Sequence, residues 1–168
     1  MKTSIIVRVS LALLVLPVSG AGAQQGPVAD SIRHQAERFI GALASRDIDQ
    51  FVNLFTNDPD FIYIDAGNVY PDRATLRARG AGFFRSLKTF SATWDPSKIV
   101  VTGPEGGAFT GVMKVTAADT TGRIIWPNGK IWTLVYQRRG GQWLIVQAHE
   151  ANVPAPRAAP ATPATPRP

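Results

Sequence analysis

The sequence predicts an α+β domain, with N-terminal helices packed on a curved and mostly antiparallel sheet. Three observations predict it. Apolar residues recur at helical spacing only in the first part of the chain. From about residue 90 onward, β-branched and aromatic residues dominate short runs separated by glycine-rich turns. Helices first and antiparallel strands second is the pattern of a helix layer on one sheet face.

The elements follow in order. Ile32, Ala36, Phe39, Ile40 and Leu43 fall at i, i+4, i+7, i+8 and i+11, the stripe of an amphipathic helix. Asp30 is placed to cap its N-terminus. Asp47 can cap a short second helix carrying Ile48, Phe51, Leu54 and Phe55. Asn57-Asp58-Pro59 stops that helix, because proline pushes its predecessor out of the helical region. Phe61-Ile62-Tyr63-Ile64 reads as a strand and Asp65-Ala66-Gly67-Asn68 as a turn. A third helix should start near Asp72 and run to about Lys88, with Leu76, Phe83, Phe84 and Leu87 facing the core. Gly80 and Gly82 weaken it, each costing up to about 1 kcal/mol in a helix interior.

The remaining chain reads as strands. Phe90 to Trp94, Ile99 to Thr102 and Ala108 to Ala118 have strand composition. Ile124-Ile125-Trp126 and Ile131 to Gln137 flank Pro127-Asn128-Gly129-Lys130, which predicts a hairpin. Gly140-Gly141 predicts a second hairpin, ending in Trp143 to His149. A two-residue turn there pairs Arg139 with Gln142, Tyr136 with Ile145 and Trp132 with His149. Period-two geometry then puts Trp132, Leu134, Tyr136, Trp143, Ile145, Gln147 and His149 on one face. Ile131, Thr133, Val135, Leu144, Val146 and Ala148 line the other. Both faces are largely apolar, so the second face is expected to bury against another copy of the chain, giving a homodimer.

The ends of the chain differ from its middle. Lys2 and Arg8 give a short positive region, and Ile5 to Val18 is almost wholly apolar, broken by Arg8 and Ser10; its uninterrupted stretch of about ten residues is short of the ~20 that a membrane span needs. Pro17, Ser19 and Gly20 end the run, and Ala21-Gly22-Ala23 supplies small residues for a signal peptidase. A cleaved signal over residues 1–23 is therefore expected, with cleavage before Gln24 and a periplasmic or secreted product without stable membrane insertion. The mature domain is expected over 24–153. Residues 154–168 contain only Pro, Ala, Thr and Arg and read as a disordered tail. There is no cysteine, so the domain must hold together by its core alone. The formal charge is +6. Setting aside Lys2, Arg8, Arg157 and Arg167 leaves about +2 on the domain, too little basicity to predict a nucleic-acid partner. The cluster Arg73, Arg77, Arg79 and Arg85 reads as a solvated helix face, with an anionic ligand as the alternative.

Three stretches carry a family resemblance. Ala36 to Phe55 followed by Asn57-Asp58-Pro59-Asp60, the loop Asp65 to Leu76, and the hairpin Thr133 to His149 occur in the order and spacing of one family. Roughly residues 29–153 resemble the nuclear transport factor 2-like superfamily, in its SnoaL-like and ketosteroid isomerase-like branch. The resemblance implies a cone-shaped, cystatin-like fold, with a sheet wrapped on a long helix, a pocket at the open end and frequent dimers.

Fold alone does not give function, so chemistry must come from the pocket. Asp65 matches the position of the isomerase branch's base, and a carboxylate in an apolar mouth suits proton abstraction. An Asx turn with Ala66-Gly67 is its structural alternative. The enolate donors of that branch have no counterpart at the matching positions, where Phe39 lacks a hydroxyl and the region of Thr133 and Leu134 lacks a carboxylic acid. His149 is the second candidate, as base or donor, against a structural role bonded to backbone. Tyr63, Trp94, Trp126 and Trp132 are candidate ligand-binding rings, core filling being the alternative. Two separated histidines and no cysteine offer no metal site, and no phosphate loop or nucleophile motif is present, so no cofactor or metal is expected.

Three function classes follow. The leading one is an exported protein that binds a small apolar or aromatic molecule in a hydrophobic pocket. The second is a cofactor-free isomerase, cyclase or hydrolase using Asp65 and His149. The third is a non-catalytic dimeric accessory module.

Overall fold

The computed structural model describes residues 21–155, with side chains from Gly26 onward. The expected signal peptide and C-terminal tail fall almost wholly outside the described residues. Three helices and six strands follow in the order α1 (Ala21–Ser45), α2 (Ile48–Val52), β1 (Ile62–Asp65), β2 (Asn68–Tyr70), α3 (Arg73–Ser86), β3 (Leu87–Gly103), β4 (Gly106–Asp119), β5 (Lys130–Arg139) and β6 (Gln142–Asn152). The strands form one sheet in the order β2-β1-β6-β5-β4-β3. Only β1 against β6 is parallel. The predicted α+β class and layer arrangement are therefore observed.

The helical stripe forms as its spacing predicts. Ile32, Ala36, Phe39 and Leu43 are buried and pack against the sheet's inner face. Phe39 sits at the centre of the core, with its ring 4.7 Å from Trp132, 5.2 Å from Phe51 and 6.2 Å from Trp94. Helix α1 begins before Asp30, which lies inside it and pairs with Arg33 rather than capping. Asp47 and Asp72 do cap α2 and α3, accepting from backbone N–H groups of the first turn.

Two strand boundaries depart from the sequence reading. Phe90–Trp94 and Ile99–Thr102 belong to one long strand, β3, whose register with β4 shifts between Trp94 and Ser97. Pro96 falls within that shift, where its missing N–H interrupts no ladder bond. Ile124-Ile125-Trp126 is not a hairpin strand. It joins the sheet only through an isolated bridge from Ile124 to Ala118. Lys130, expected in the turn, instead starts β5 and pairs with Met113 of β4. The Asn128-Gly129 signal serves a turn in which the Gly129 N–H donates to the Trp126 carbonyl at 2.8 Å. Gly129 has φ +87°, and a Cβ there would lie 2.4 Å from the Met113 carbonyl oxygen, so this position requires glycine.

The final hairpin turns at Gly140-Gly141 as predicted, with Arg139 opposite Gln142 and Tyr136 opposite Ile145. A bulge then changes the parity of the strand. Val135 pairs with Gln147, so Val146 is an extra residue on β6. The cause lies on the other edge of β6. Ile145 donates its N–H to the Leu54 carbonyl at 2.9 Å, and its carbonyl accepts from the Thr56 N–H at 2.9 Å. That bridge seats the chain leaving α2 against β6 just before β1 joins it at Gln147–Glu150.

Candidate active site

The bulge decides which ionisable residue enters the cone. Beyond Val146 the residues facing the core are Ala148 and Glu150, opposite Leu134 and Trp132. His149 pairs with Thr133 on the outer face and is exposed. The expected pairing of Trp132 with His149, and with it the placement of His149 in the pocket, is corrected to Glu150 for this reason.

Between α1, α2, α3 and the inner sheet lies a cavity of about 180 Å³. Its walls are Leu43, Phe51, Leu76, Phe83, Phe84 and Trp126 together with Tyr63, Tyr70 and Trp132; its polar groups are Asp65, Glu150 and Arg79. This volume exceeds the ~150 Å³ of an engineered apolar cavity that admits benzene, so side chains do not fill the cone.

The predicted candidates fall into two groups. Asp65, Tyr63, Trp126 and Trp132 all line the cavity. Trp94 does not. Its indole N–H donates to the Ala36 carbonyl at 3.0 Å and its ring packs 4.8 Å from Phe109, so Trp94 is core rather than a ligand-binding ring. The other histidine, His34, is exposed on α1. Asp65 ends β1 at a tight turn in which Ala66 and Gly67 both take positive φ. The Asn68 side chain donates to the Asp65 carbonyl, and the Asp65 carboxylate goes to Lys130.

Sequence reasoning missed Lys130 and Glu150. Lys130 is 3% exposed and its ammonium donates to Glu150 Oε1 at 2.8 Å and to Asp65 Oδ1 at 3.4 Å. The same ammonium lies 4.9 Å from the centre of the Trp126 ring, a cation–π contact. A signal for Lys130 was present, since it stands two residues before Trp132 in the Trp132, Leu134, Tyr136 series and shares its inward face. Glu150 had no such signal, because the bulge sets its side.

The two carboxyl groups are driven apart. Burial raises Glu150 well above the usual carboxylate range, and Asp65 reinforces this against the opposing pull of Lys130. Burial also pushes Asp65 upward. Hydrogen bonding with Glu150 and the charge of Lys130 outweigh it, so Asp65 is held below its ordinary value. The two carboxyl groups are thus shifted in opposite directions, Glu150 toward its protonated form and Asp65 toward its ionised one. Tyr63 is raised well above 10.0 by burial, then by the charges of Glu150 and Asp65, and stays a neutral phenol. Trp132 Nε1 is buried without a hydrogen-bond partner, and no protein N–H or O–H reaches Glu150 Oε2.

A family model described as a SnoaL-like domain matches residues 32–156. The chain belongs to that family. No curated protein matches it. Among solved structures, a nuclear transport factor 2-like superfamily protein from Salmonella enterica serovar Typhimurium aligns with a TM-score of 0.68 at 16% identity, covering 82% of this chain and 99% of that one. A cystatin-like protein from Caulobacter vibrioides aligns with a TM-score of 0.62 at 16% identity, covering 74% and 89%. A hexachlorocyclohexane dehydrochlorinase aligns with a TM-score of 0.63 at 12% identity, covering 86% and 100%. At such identities the likeness is one of fold. This SnoaL-like domain therefore has the superfamily scaffold that its sequence resembles, with the trio Asp65–Lys130–Glu150 inside the cone.

Proposed function

We propose that this SnoaL-like domain binds a small molecule about the size of one substituted ring in its cone. The observation that carries the reading is an open, aromatic-walled cavity of about 180 Å³ containing a half-buried, ionised Asp65. Apolar walls with a few convergent polar groups are the usual makeup of a ligand site. A ligand hydroxyl supplies what the site lacks, accepting from the orphaned Trp132 indole N–H while donating to the Asp65 carboxylate. The test is titration calorimetry with phenol and its para-substituted derivatives on wild type, Asp65→Asn and Trp132→Phe. Saturable binding weakened in both variants supports the reading. Absence of binding by every one-ring probe removes it.

A second reading rests on the opposed acidities of the two carboxyl groups. An ionised carboxylate beside a carboxyl group pushed toward its protonated form gives acid–base catalysis its two partners without a cofactor, although its lowered value makes Asp65 a weaker base than a free carboxylate. Here Asp65 abstracts a proton and Glu150 returns it, with Lys130 holding the pair in place. Its test is deuterium exchange into a small cyclic ketone, followed by NMR. Exchange above the buffer rate that vanishes in Asp65→Asn supports catalysis; exchange equal in the two proteins leaves binding alone.

Export and assembly belong to the same proposal. The charged and apolar N-terminal segment supports secretion, and mass spectrometry of the mature chain should find Gln24 first. The sheet's outer face supports a homodimer, because Val100 and Ile131 are exposed there and Thr133 and Val135 only half-buried. Sedimentation showing monomer alone at micromolar concentration would remove the dimer.

A further inference from the structure

We infer that the ligand of this cavity is an anion, a one-ring acid whose carboxylate meets Arg79 at the mouth while its hydroxyl meets Asp65. This rests on the binding reading above and names the ligand class of the same site.

Four side chains make one continuous wall. The Trp132 and Tyr63 rings stack 5.9 Å apart with planes 2° from parallel. Tyr63 stacks on Tyr70 at 5.0 Å and 26°. The Arg79 guanidinium then lies 5.7 Å from the centre of the Tyr70 ring. The column runs from the buried Trp132 to the exposed Arg79, so a ring laid along it has a polar end inside and another at the rim.

Charge selects what stands at the rim. Inside, the Lys130 ammonium already lies against both carboxyl groups, 3.4 Å from Asp65 and 2.8 Å from Glu150. The inner acids therefore have a built-in cation, and a neutral hydroxyl fits beside them better than an ammonium. Arg79 is the one other ionised side chain lining the cavity, and among the described residues it has no carboxylate partner. Only one guanidinium N–H is engaged, donating to the Val69 carbonyl at 3.3 Å. Its remaining donors, out of five, form the planar fork that recognises a carboxylate.

The test compares 4-hydroxybenzoate with the neutral 4-hydroxybenzamide and the cationic tyramine by titration calorimetry. Wild type is expected to bind the acid about tenfold or more tighter than the amide, and the gap should narrow at high salt. Arg79→Gln, at an exposed position, should bring acid and amide to equal affinity by weakening the acid far more than the amide. Arg79→Lys should keep part of the preference. Equal affinities in wild type, stronger binding of tyramine, or a preference that survives Arg79→Gln overturns the inference while the binding reading stands. Failure of all three probes to bind removes the binding reading and this inference with it.

Discussion

Trp132 faces Glu150 across the β5–β6 pair, and His149, one residue earlier, faces Thr133 on the opposite side of the sheet. A single extra residue, Val146, produces this exchange. It puts a carboxylic acid where an unbroken strand would put an imidazole.

The exchange separates the two residues functionally. His149→Ala removes an exposed outer-face side chain and should leave ligand affinity within about twofold of wild type, with stability changed by no more than ~0.5 kcal/mol. Glu150→Gln keeps the shape of its side chain but removes the acid that shares Lys130 with Asp65, and should change affinity severalfold for any ligand donating to Asp65. Calorimetry on both variants with 4-hydroxybenzoate checks this. A larger effect from His149→Ala contradicts the register.

Lys130 is buried with two carboxyl partners, so removing it leaves negative charge without compensation. Lys130→Met is expected to cost about 3–5 kcal/mol, the range for breaking a buried ion pair. Lys130→Met combined with Asp65→Asn should cost clearly less than the sum of the two single changes, because the second change removes the stranded carboxylate charge. Urea unfolding of the four proteins gives the coupling energy. Additive costs would mean that the two side chains do not share an environment.

Much of this architecture is legible in the sequence, and the limit of legibility is itself physical. The α1 stripe, the cap at Asp47, the start of α3 near Asp72 and the Gly140-Gly141 turn are local features, decided by residues within one or two turns of each other. Asp65, Tyr63 and Trp132 reach the cavity because strand periodicity is also local, whereas Trp126 reaches it from the turn before β5. The bulge at Val146 is not local. It is imposed by Leu54 and Thr56, some ninety residues away, which take the backbone groups of Ile145. Everything that depends on strand parity after that point, including the side on which Glu150 lies, is hidden from a reading of β6 alone. Trp94 fails for another reason. Its indole N–H is satisfied by the α1 backbone at Ala36, a contact that composition does not reveal.

Two glycines test opposite uses of the same residue. Gly129→Ala places a Cβ against the Met113 carbonyl at a positive φ and should destabilise the domain by about 1–3 kcal/mol. Gly41 lies in the exposed part of α1, and a Cβ there meets nothing within 4 Å. Gly41→Ala should therefore stabilise by up to about 1 kcal/mol. Thermal unfolding reads both signs. A destabilised Gly41→Ala would mean that the outer side of α1 is packed against something.

The acid pair should also mark the stability–pH curve. Glu150 is raised in the folded state, so the native protein binds more protons than the unfolded chain above the ordinary carboxyl value of 4.5. Its contribution is full below that value and is lost as pH rises through the folded-state value. Asp65 acts with the opposite sign. It is lowered, so its contribution is present above 3.8 and lost as pH falls through its folded-state value. Because each acid shifts the other and both contact Lys130, they titrate as a unit. Wild-type stability should then peak near the ordinary carboxyl range and decline on the alkaline side, with a slope of at most about 1.4 kcal/mol per pH unit. Glu150→Gln cannot ionise, so its stability relative to wild type should grow as pH rises from 4.5 toward neutrality. Urea midpoints across this range check the divergence. Parallel curves for the two proteins would show that Glu150 is ionised in the folded protein throughout, with Lys130 as its full counter-charge.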